Sequence, residues 1–273
     1  MIPDPDKVAD FIKETAELDV LPRFRTLASH EIIEKAPGDI VTVADHDAEA
    51  RLTRMLSALT PGALIVGEEA VHSDESLLDK LDTLDPVWIL DPVDGTANFA
   101  AGRPNFAIMV AYVTQGVTRA GWIYSPVDKT MYVAMIDDGA FVDGERMRIK
   151  QPDNLAGLRG RINYGVFDEH RRPALRKRIA DTFDVEKSAR CAGHEFIMLA
   201  KGEADFRIYN RLWAWDHAPG ALLHNEAGGV TARIDRSAYK PTERSQGLLC
   251  APNEVLWEKI RDFMMDENDV VTS

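Results

Sequence analysis

Four apolar residues, Val87-Trp88-Ile89-Leu90, run without a break into Asp91-Pro92-Val93-Asp94-Gly95-Thr96. An apolar run of this length bounded by turn formers reads as a buried strand. Burying it carries two carboxylates, a tight turn and a hydroxyl into one small volume at the strand's end. Like charges that close repel and raise each other's pKa unless something cationic lies between them. Any fold of this chain must therefore gather other groups, or an ion, around that strand end.

More acids are available for it. Ala63-Leu64-Ile65-Val66-Gly67 reads as a second short strand and ends in Glu68-Glu69. Glu68 and Asp91 thus stand at the C-terminal ends of buried strands, where sheet proteins collect ligand-binding groups. Asp216, in the stretch LWAWDHAPGALLHNEAGG, lies where a helix should begin. Singly, each has an ordinary use: an Asx turn for Asp91, a solvated loop acid for Glu68, an N-cap for Asp216. Jointly with Asp94 they are a hard oxygen set without histidine or cysteine, suited to Mg²⁺, Mn²⁺ or Ca²⁺ and not to Zn²⁺. Asp-Pro-x-Asp can bridge two such ions, with Asp91 between them, Asp94 on one and the Val93 carbonyl on the other. Gly95-Thr96 follows at an expected helix start, where backbone N–H groups favour a phosphate. The acids hold metal, and the metal holds phosphate.

Charge and motifs narrow the class. With 45 acids against 32 bases the formal net charge is −13, a poor match for nucleic acid or an anionic membrane. An anionic substrate then needs local positive charge, which a bound cation supplies. No GxxxxGK[ST] and no GxGxxG occurs, against P-loop hydrolysis and dinucleotide redox chemistry. His30-Glu31-Ile32-Ile33-Glu34 lacks the second histidine of a zinc protease helix. The basic run Glu169 to Arg178 reads as a solvated helix face, with steering of an anionic substrate as its second use. Trp213 and Trp215 read as packing, with Trp215 also a wall of the metal pocket. The start, MIPDPDKVADF, has no signal-peptide pattern, and the longest strongly apolar run, FAIMVAYV, is too short to span a bilayer. Cys191 and Cys250 read as buried free thiols, and the expectation is a cytoplasmic protein.

Periodicity predicts a helix from 4 to about 29, kinked or split by Pro22, a strand before a turn at 36–39, and a helix after Asp45 that stops at Thr60-Pro61-Gly62. Residues 70–86 are polar and read as a mobile surface segment. Residues 105–147 read as a β-meander, and after Gln151-Pro152 helices and strands alternate. The expected strands there are 158–163, 186–191 and 204–209, and the expected helices 173–183, 194–202, 217–227 and 253–265. This predicts an N-terminal α+β subdomain over 1–150 with most metal ligands. A C-terminal α/β subdomain over 151–273 would carry Asp216 and the substrate-facing residues.

Gly67-Glu68-Glu69, WILDPVDGTANF at 88–99 and WDHAPGALLHNEAGG at 215–229 resemble the inositol monophosphatase family, Mg²⁺-dependent and lithium-sensitive phosphatases. DIVTVADHDAE at 39–49 is similar to that family's N-terminal DxVTxxDxxxE element. The motifs keep the family's order over nearly the whole chain. The resemblance implies a layered αβαβα sandwich of α/β class, a homodimer, and two or three Mg²⁺ ions, with Mn²⁺ as a substitute. Glu68, Asp91 and the Val93 carbonyl would hold the first ion, and Asp91, Asp94 and Asp216 the second. Thr96, hydrogen-bonded to Asp45, would orient and deprotonate the attacking water together with Glu68. The Gly95 and Thr96 N–H groups would hold the phosphate.

At the alcohol end, Gly193-His194-Glu195 stands where the inositol enzymes begin a substrate-facing helix with Gly-x-Ala, and Tyr209-Asn210 stand near their substrate glutamate. Gly193, Glu195, Tyr209 and Asp216 are the expected substrate contacts. The expected substrate is a small polyol phosphate such as inositol 1-phosphate. Histidinol phosphate, a sugar bisphosphate or a nucleotide 3′-phosphate would use the same chemistry, a cationic substrate suiting Glu195. The reading from another class is a metal- and phosphate-binding regulatory protein with little turnover.

Overall fold

The computed structural model describes residues 2–36, 39–242, 244 and 246–265. Helix α1 (Pro5–Thr15) is capped by Asp4, whose carboxylate accepts the Asp6 and Lys7 N–H groups. The helical path continues through one wide turn and one tight turn to Arg23, short of the expected end near 29, and Pro22 lies in that last tight turn, where the path is split from α1 and ends. Strands β1 (Ile32–Ala36) and β2 (Asp39–Thr42) pair antiparallel; Pro37 and Gly38 of the expected turn lie outside the described residues. Helix α2 (Val43–Leu59) is capped by Thr42 and not by Asp45, which lies in its first turn and bonds back to Thr42. Thr-x-x-Asp closes a reciprocal capping box, which satisfies two helix-end donors where a lone Asp satisfies one.

Strand β3 (Leu64–Gly67) leads into α3 (Glu68–Ser73) and a short tight helix over 75–82. That helix buries Leu78 and Leu81 against Val66, Val87 and Ile89, so 70–86 is a packed cover and not a loose segment. Strand β4 (Val87–Asp94) and helix α4 (Thr96–Ala100) follow. The meander is β5 (Ala107–Thr114), β6 (Val117–Ser125), β7 (Thr130–Met135), β8 (Gly139–Val142) and β9 (Glu145–Met147). These seven strands, β3 to β9, form one sheet in sequence order, with only β3 and β4 parallel.

The rest of the chain is β10 (Arg159–Ile162), α5 (Arg172–Ala180), β11 (Asp184–Val185), α6 (Ala192–Lys201), β12 (Phe206–Tyr209), α7 (Ala214–Glu226), β13 (Val230–Arg233), β14 (Leu248–Ala251) and α8 (Glu254–Met264). Its sheet has the order β11-β10-β12-β14-β13. The expected strand at 186–191 forms earlier, at β11, and Cys191 instead caps α6.

Every residue of β4 is buried, so both faces of the first sheet are covered. Trp88 and Leu90 pack on Val8, Ile12, Leu52 and Leu56 of α1 and α2, while Ile89 faces Trp215 and Ala218 of α7. Helices α6 and α7 lie between the sheets, where Phe196, Leu199 and Leu222 meet Met109 and Ile123 on one side and Tyr209 and Leu248 on the other. Helices α5 and α8 cover the outer face of the second sheet through Leu175, Ile179, Trp257 and Ile260. The result is an αβαβα sandwich. At Gly121 on β6 a Cβ would stand 2.8 Å from the Pro219 Cα, so glycine there lets α7 lie close on the sheet. No helix among the described residues is long and apolar enough to cross a membrane.

Candidate functional site

The pairing of β4 with β5 fails where the acids begin. Asp91 lies opposite Met109 and Asp94 opposite Ala107, with a bulge between them. Pro92 has no N–H to give the ladder, and the extra residue re-aims the strand end. The Asp91 Oδ1 accepts the Val93 N–H at 3.1 Å, which closes a local turn. Gly95 then adopts φ +87°, and a Cβ there would stand 2.9 Å from the Asn105 carbonyl, so glycine alone fits the corner into α4. Asp216, in the first turn of α7, completes the cluster: oxygens of Asp91, Asp94 and Asp216 lie within 4.8 Å of one another. Glu68 opens α3 directly after β3, the parallel neighbour of β4. It is not one of the three clustered acids, but its charge acts on Asp91 more than any other does.

Burial pushes all four acids upward, and for Asp91, Glu68 and Asp216 neighbouring carboxylates add to it. Burial raises Asp91 well above the usual carboxylate range, and Glu68, Asp94, Asp216 and Asp45 add to it. Glu68 is raised by burial and by Asp216, with Lys35 working the other way. Asp216 is pushed up to about 8 by burial and then by Asp94. Asp94 is raised by burial, against the hydrogen bonds it accepts. The charges that act most on Asp91 are all negative, and a hard divalent cation answers that imbalance. The donor set fits such an ion: three carboxylates, with no imidazole or thiolate among the clustered groups.

Thr96 lies beside this cluster. Its hydroxyl is 3.0 Å from the Val93 carbonyl and 3.2 Å from the Asp45 Oδ1. One proton serves one of these acceptors at a time. Asp45 Oδ2 accepts from the Thr42 N–H at 2.8 Å and the Thr42 hydroxyl at 2.6 Å. Burial outweighs those bonds and pushes Asp45 up to about 7. A carboxyl that exchanges its proton near neutrality thus stands one hydroxyl away from the acid cluster.

Helix α6 supplies a feature that the sequence reading missed. Asp94 accepts the Ala192 N–H at 3.0 Å, the Gly193 N–H at 2.5 Å and the Cys191 thiol at 2.9 Å. The start of α6 is therefore fixed to the acid cluster, and Gly193 reaches the site through Asp94. Because α6 begins at Ala192, Glu195 is turned towards β12. Its carboxylate accepts from the Arg207 Nε at 2.5 Å, the Ser188 hydroxyl at 2.7 Å and the Ala189 N–H at 2.9 Å. That corrects the expectation of a Glu195 open to substrate. Tyr209 is buried under the cleft, stacked on Phe196 at 5.2 Å and edge-on to His217 at 4.7 Å. Its hydroxyl, the Asn210 Oδ1 and the His217 Nε2 are buried without a hydrogen-bond partner. Trp213 and Trp215 stack at 5.1 Å. Two further contacts hold the start of α3, one from Lys35, which had no sequence signal, and one from Glu49, the last acid of the element at 39–49. Lys35 pairs with buried Glu69 at 3.0 Å, and Glu49 accepts the Glu69 and Ala70 N–H groups, both at 2.9 Å.

Residues 6–264 match the model of the inositol monophosphatase family. An inositol-1-monophosphatase of Mesorhizobium japonicum is 33% identical over 243 residues, 85% of each chain. A fructose-1,6-bisphosphatase/inositol-1-monophosphatase of Thermotoga maritima is 32% identical over 72% of this chain and 73% of its own. Among solved structures, an IMPase of Thermotoga maritima superposes with a TM-score of 0.79 at 23% identity, covering 95% of both chains.

Proposed function

The chain belongs to the inositol monophosphatase family and is a phosphoric monoester hydrolase, and we propose that its substrate is a small polyol phosphate of the inositol 1-phosphate kind. The observation that carries the reading is the triad Asp91, Asp94 and Asp216, whose oxygens lie within 4.8 Å of one another. Glu68, Asp91 and the Val93 carbonyl would hold one Mg²⁺, and Asp91, Asp94 and Asp216 a second; a third ion and replacement by Mn²⁺ come from the resemblance. Such ions supply positive charge to the phosphoryl and leaving oxygens and acidity to water beside them.

The chain's own groups do the rest. The Thr96 hydroxyl accepts a proton's share from the attacking water and passes its own towards Asp45, whose carboxyl, at about 7, takes it near neutral pH. Glu68 fixes the same water from the other side. The N–H groups of Gly95 and Thr96 hold the phosphate. Asp216 and Tyr209 border the leaving alcohol. With Glu195 committed to Arg207, the acid that suited a substrate amine is already paired, and histidinol phosphate loses its argument. Inhibition by Li⁺, a homodimer and a cytoplasmic location belong to the same proposal.

The test is phosphate release from inositol 1-phosphate, fructose 1,6-bisphosphate, histidinol phosphate, a nucleotide 3′-phosphate and glycerol 2-phosphate, with Mg²⁺ and with EDTA. Release that stops in EDTA supports the reading. No release from any of them would favour a metal- and phosphate-binding regulatory protein.

A further inference from the structure

The proposed metal ligands are not held alike. Asp94 accepts three donors at its own oxygens, and Asp91 accepts the Val93 N–H. Among the described residues the Glu68 carboxylate accepts no hydrogen bond, so its direction is set by the backbone at the start of α3. The peptide before Glu68 is held by the sheet, with Gly67 opposite Leu90 of β4. The peptide after it needs another hold.

A helix start leaves its first N–H groups without partners, and a side chain at the N-cap ordinarily takes one of them. The N-cap of α3 is Gly67, which has no side chain to give. Its φ of −101° is open to any residue, so conformation does not demand glycine here. Space does. A Cβ at Gly67 would stand 2.7 Å from the Glu49 Oε1 and closer still to its Oε2 and carboxyl carbon. The room left by the missing side chain is taken by this carboxylate from α2. It accepts the Glu69 N–H at Oε2 and the Ala70 N–H at Oε1, each at 2.9 Å. The first of these N–H groups belongs to the peptide that joins Glu68 to Glu69. An acid from another helix thus caps α3 and fixes the main chain on the far side of Glu68. Glu49 stands four residues after Asp45 on α2, so the two acids leave the same helix face. Asp45 lies 3.2 Å from the Thr96 hydroxyl. Leu52 and Leu56 of the same helix are fully buried against Trp88 and Leu90 of β4. One helix, seated on the strand that carries Asp91 and Asp94, therefore sets both the proton acceptor and the start of α3.

Resting on the phosphomonoesterase reading above, we propose that Glu49 is a positioning residue, whose carboxylate fixes the main chain of Glu68 and so aims the Glu68 side chain at the first ion and the attacking water. It touches neither of them itself. Gly67 is the other half of the device, because any side chain there would displace the Glu49 carboxylate.

The test is a calorimetric Mg²⁺ titration of the whole protein, with phosphate release from inositol 1-phosphate beside it. Glu49→Gln keeps the size of the side chain and turns one acceptor into an NH₂ that meets a backbone N–H. Mg²⁺ affinity and kcat are each expected to fall by about tenfold, with KM nearly unchanged. Gly67→Ala perturbs the same carboxylate from the other side and should give the same losses, which keeps the test open if Glu49→Gln does not fold. In a Glu68→Gln background, adding Glu49→Gln should change Mg²⁺ affinity by less than about twofold, because the group it acts through is already gone. Leu56→Ala, which loosens the same helix in its core, should lower the melting temperature and leave Mg²⁺ affinity as it was. Unchanged Mg²⁺ affinity in Glu49→Gln or Gly67→Ala overturns the inference. So does a loss that adds in full to that of Glu68→Gln, or an equal loss in Leu56→Ala. If Mg²⁺ binds but no phosphate is released, the phosphatase reading fails alone, and the titration still decides on Glu49. If the unmodified protein takes up no Mg²⁺, both fail.

Discussion

Asp94 answers to two sets of partners at once. Its oxygens accept three donors from the start of α6, and one of them also faces Asp91 and Asp216. Asp94→Asn replaces an acceptor by an amide NH₂ that meets either the α6 N–H groups or the ion. Turnover is expected to fall by at least about 10²-fold, with Mg²⁺ affinity weakened by roughly 10- to 100-fold. Phosphate release and an Mg²⁺ titration check both; turnover like that of the unmodified protein would remove Asp94 from the ion's ligands. Thr96 separates from it cleanly. Its hydroxyl touches Asp45 and the Val93 carbonyl and no clustered carboxylate. Thr96→Ala should cut kcat by about 10²-fold and leave the Mg²⁺ titration nearly unchanged. A collapse of metal binding would show the hydroxyl to be a brace for the Val93 carbonyl.

Between elements, the Glu195–Arg207 pair ties α6 to β12 in a place where both side chains are 7% exposed or less. Removing one partner of a buried pair strands the other charge, at a cost of about 3–5 kcal/mol. Glu195→Ala is therefore expected to lower the melting temperature by roughly 6–20 °C at the 2–4 °C per kcal/mol usual for large domains. A loss of activity without a fall in melting temperature would instead return Glu195 to the substrate. This pair also marks the limit of sequence reading. Strand-end acids such as Asp91 and Asp94 are legible because an apolar run must stop where charge begins. Glu195 was not, because its partner lies on a different element and only the register of α6 shows which way the carboxylate turns. Asp45 was half legible: the helix after it was, but the cap fell to Thr42, since a Thr with an acid three residues on satisfies more donors. The cover over 75–82 was hidden by its polar composition, although Leu78 and Leu81 fill the space beside β4. Strands β13 and β14 are short and lie in a region read mainly for its helices.

For the whole molecule, the acid cluster makes stability depend on both pH and metal. Asp45 at about 7 and Asp216 at about 8 bind protons more tightly in the folded chain than in the unfolded one, because burial penalises their charge. The stability they give is fully present below the unfolded carboxylate range and is lost as pH rises through those values. Buried His217 and His224, both lowered to about 4 by burial, work in the opposite sense, but only below the ordinary histidine value. Between pH 6.5 and 8.5 the acids outweigh the tail of the histidine titration, and the metal-free protein should lose on the order of 2 kcal/mol across that window, or roughly 4–8 °C in melting temperature. Mg²⁺ reverses the trend, because it binds the ionised carboxylates and competes with their protons. Melting curves at pH 6.5 and 8.5, in EDTA and in Mg²⁺, read the difference directly. The metal-induced rise should be clearly larger at pH 8.5. A rise of equal size at both values would mean that the ion binds away from Asp91, Asp94 and Asp216, and that these acids keep their protons for a structural reason.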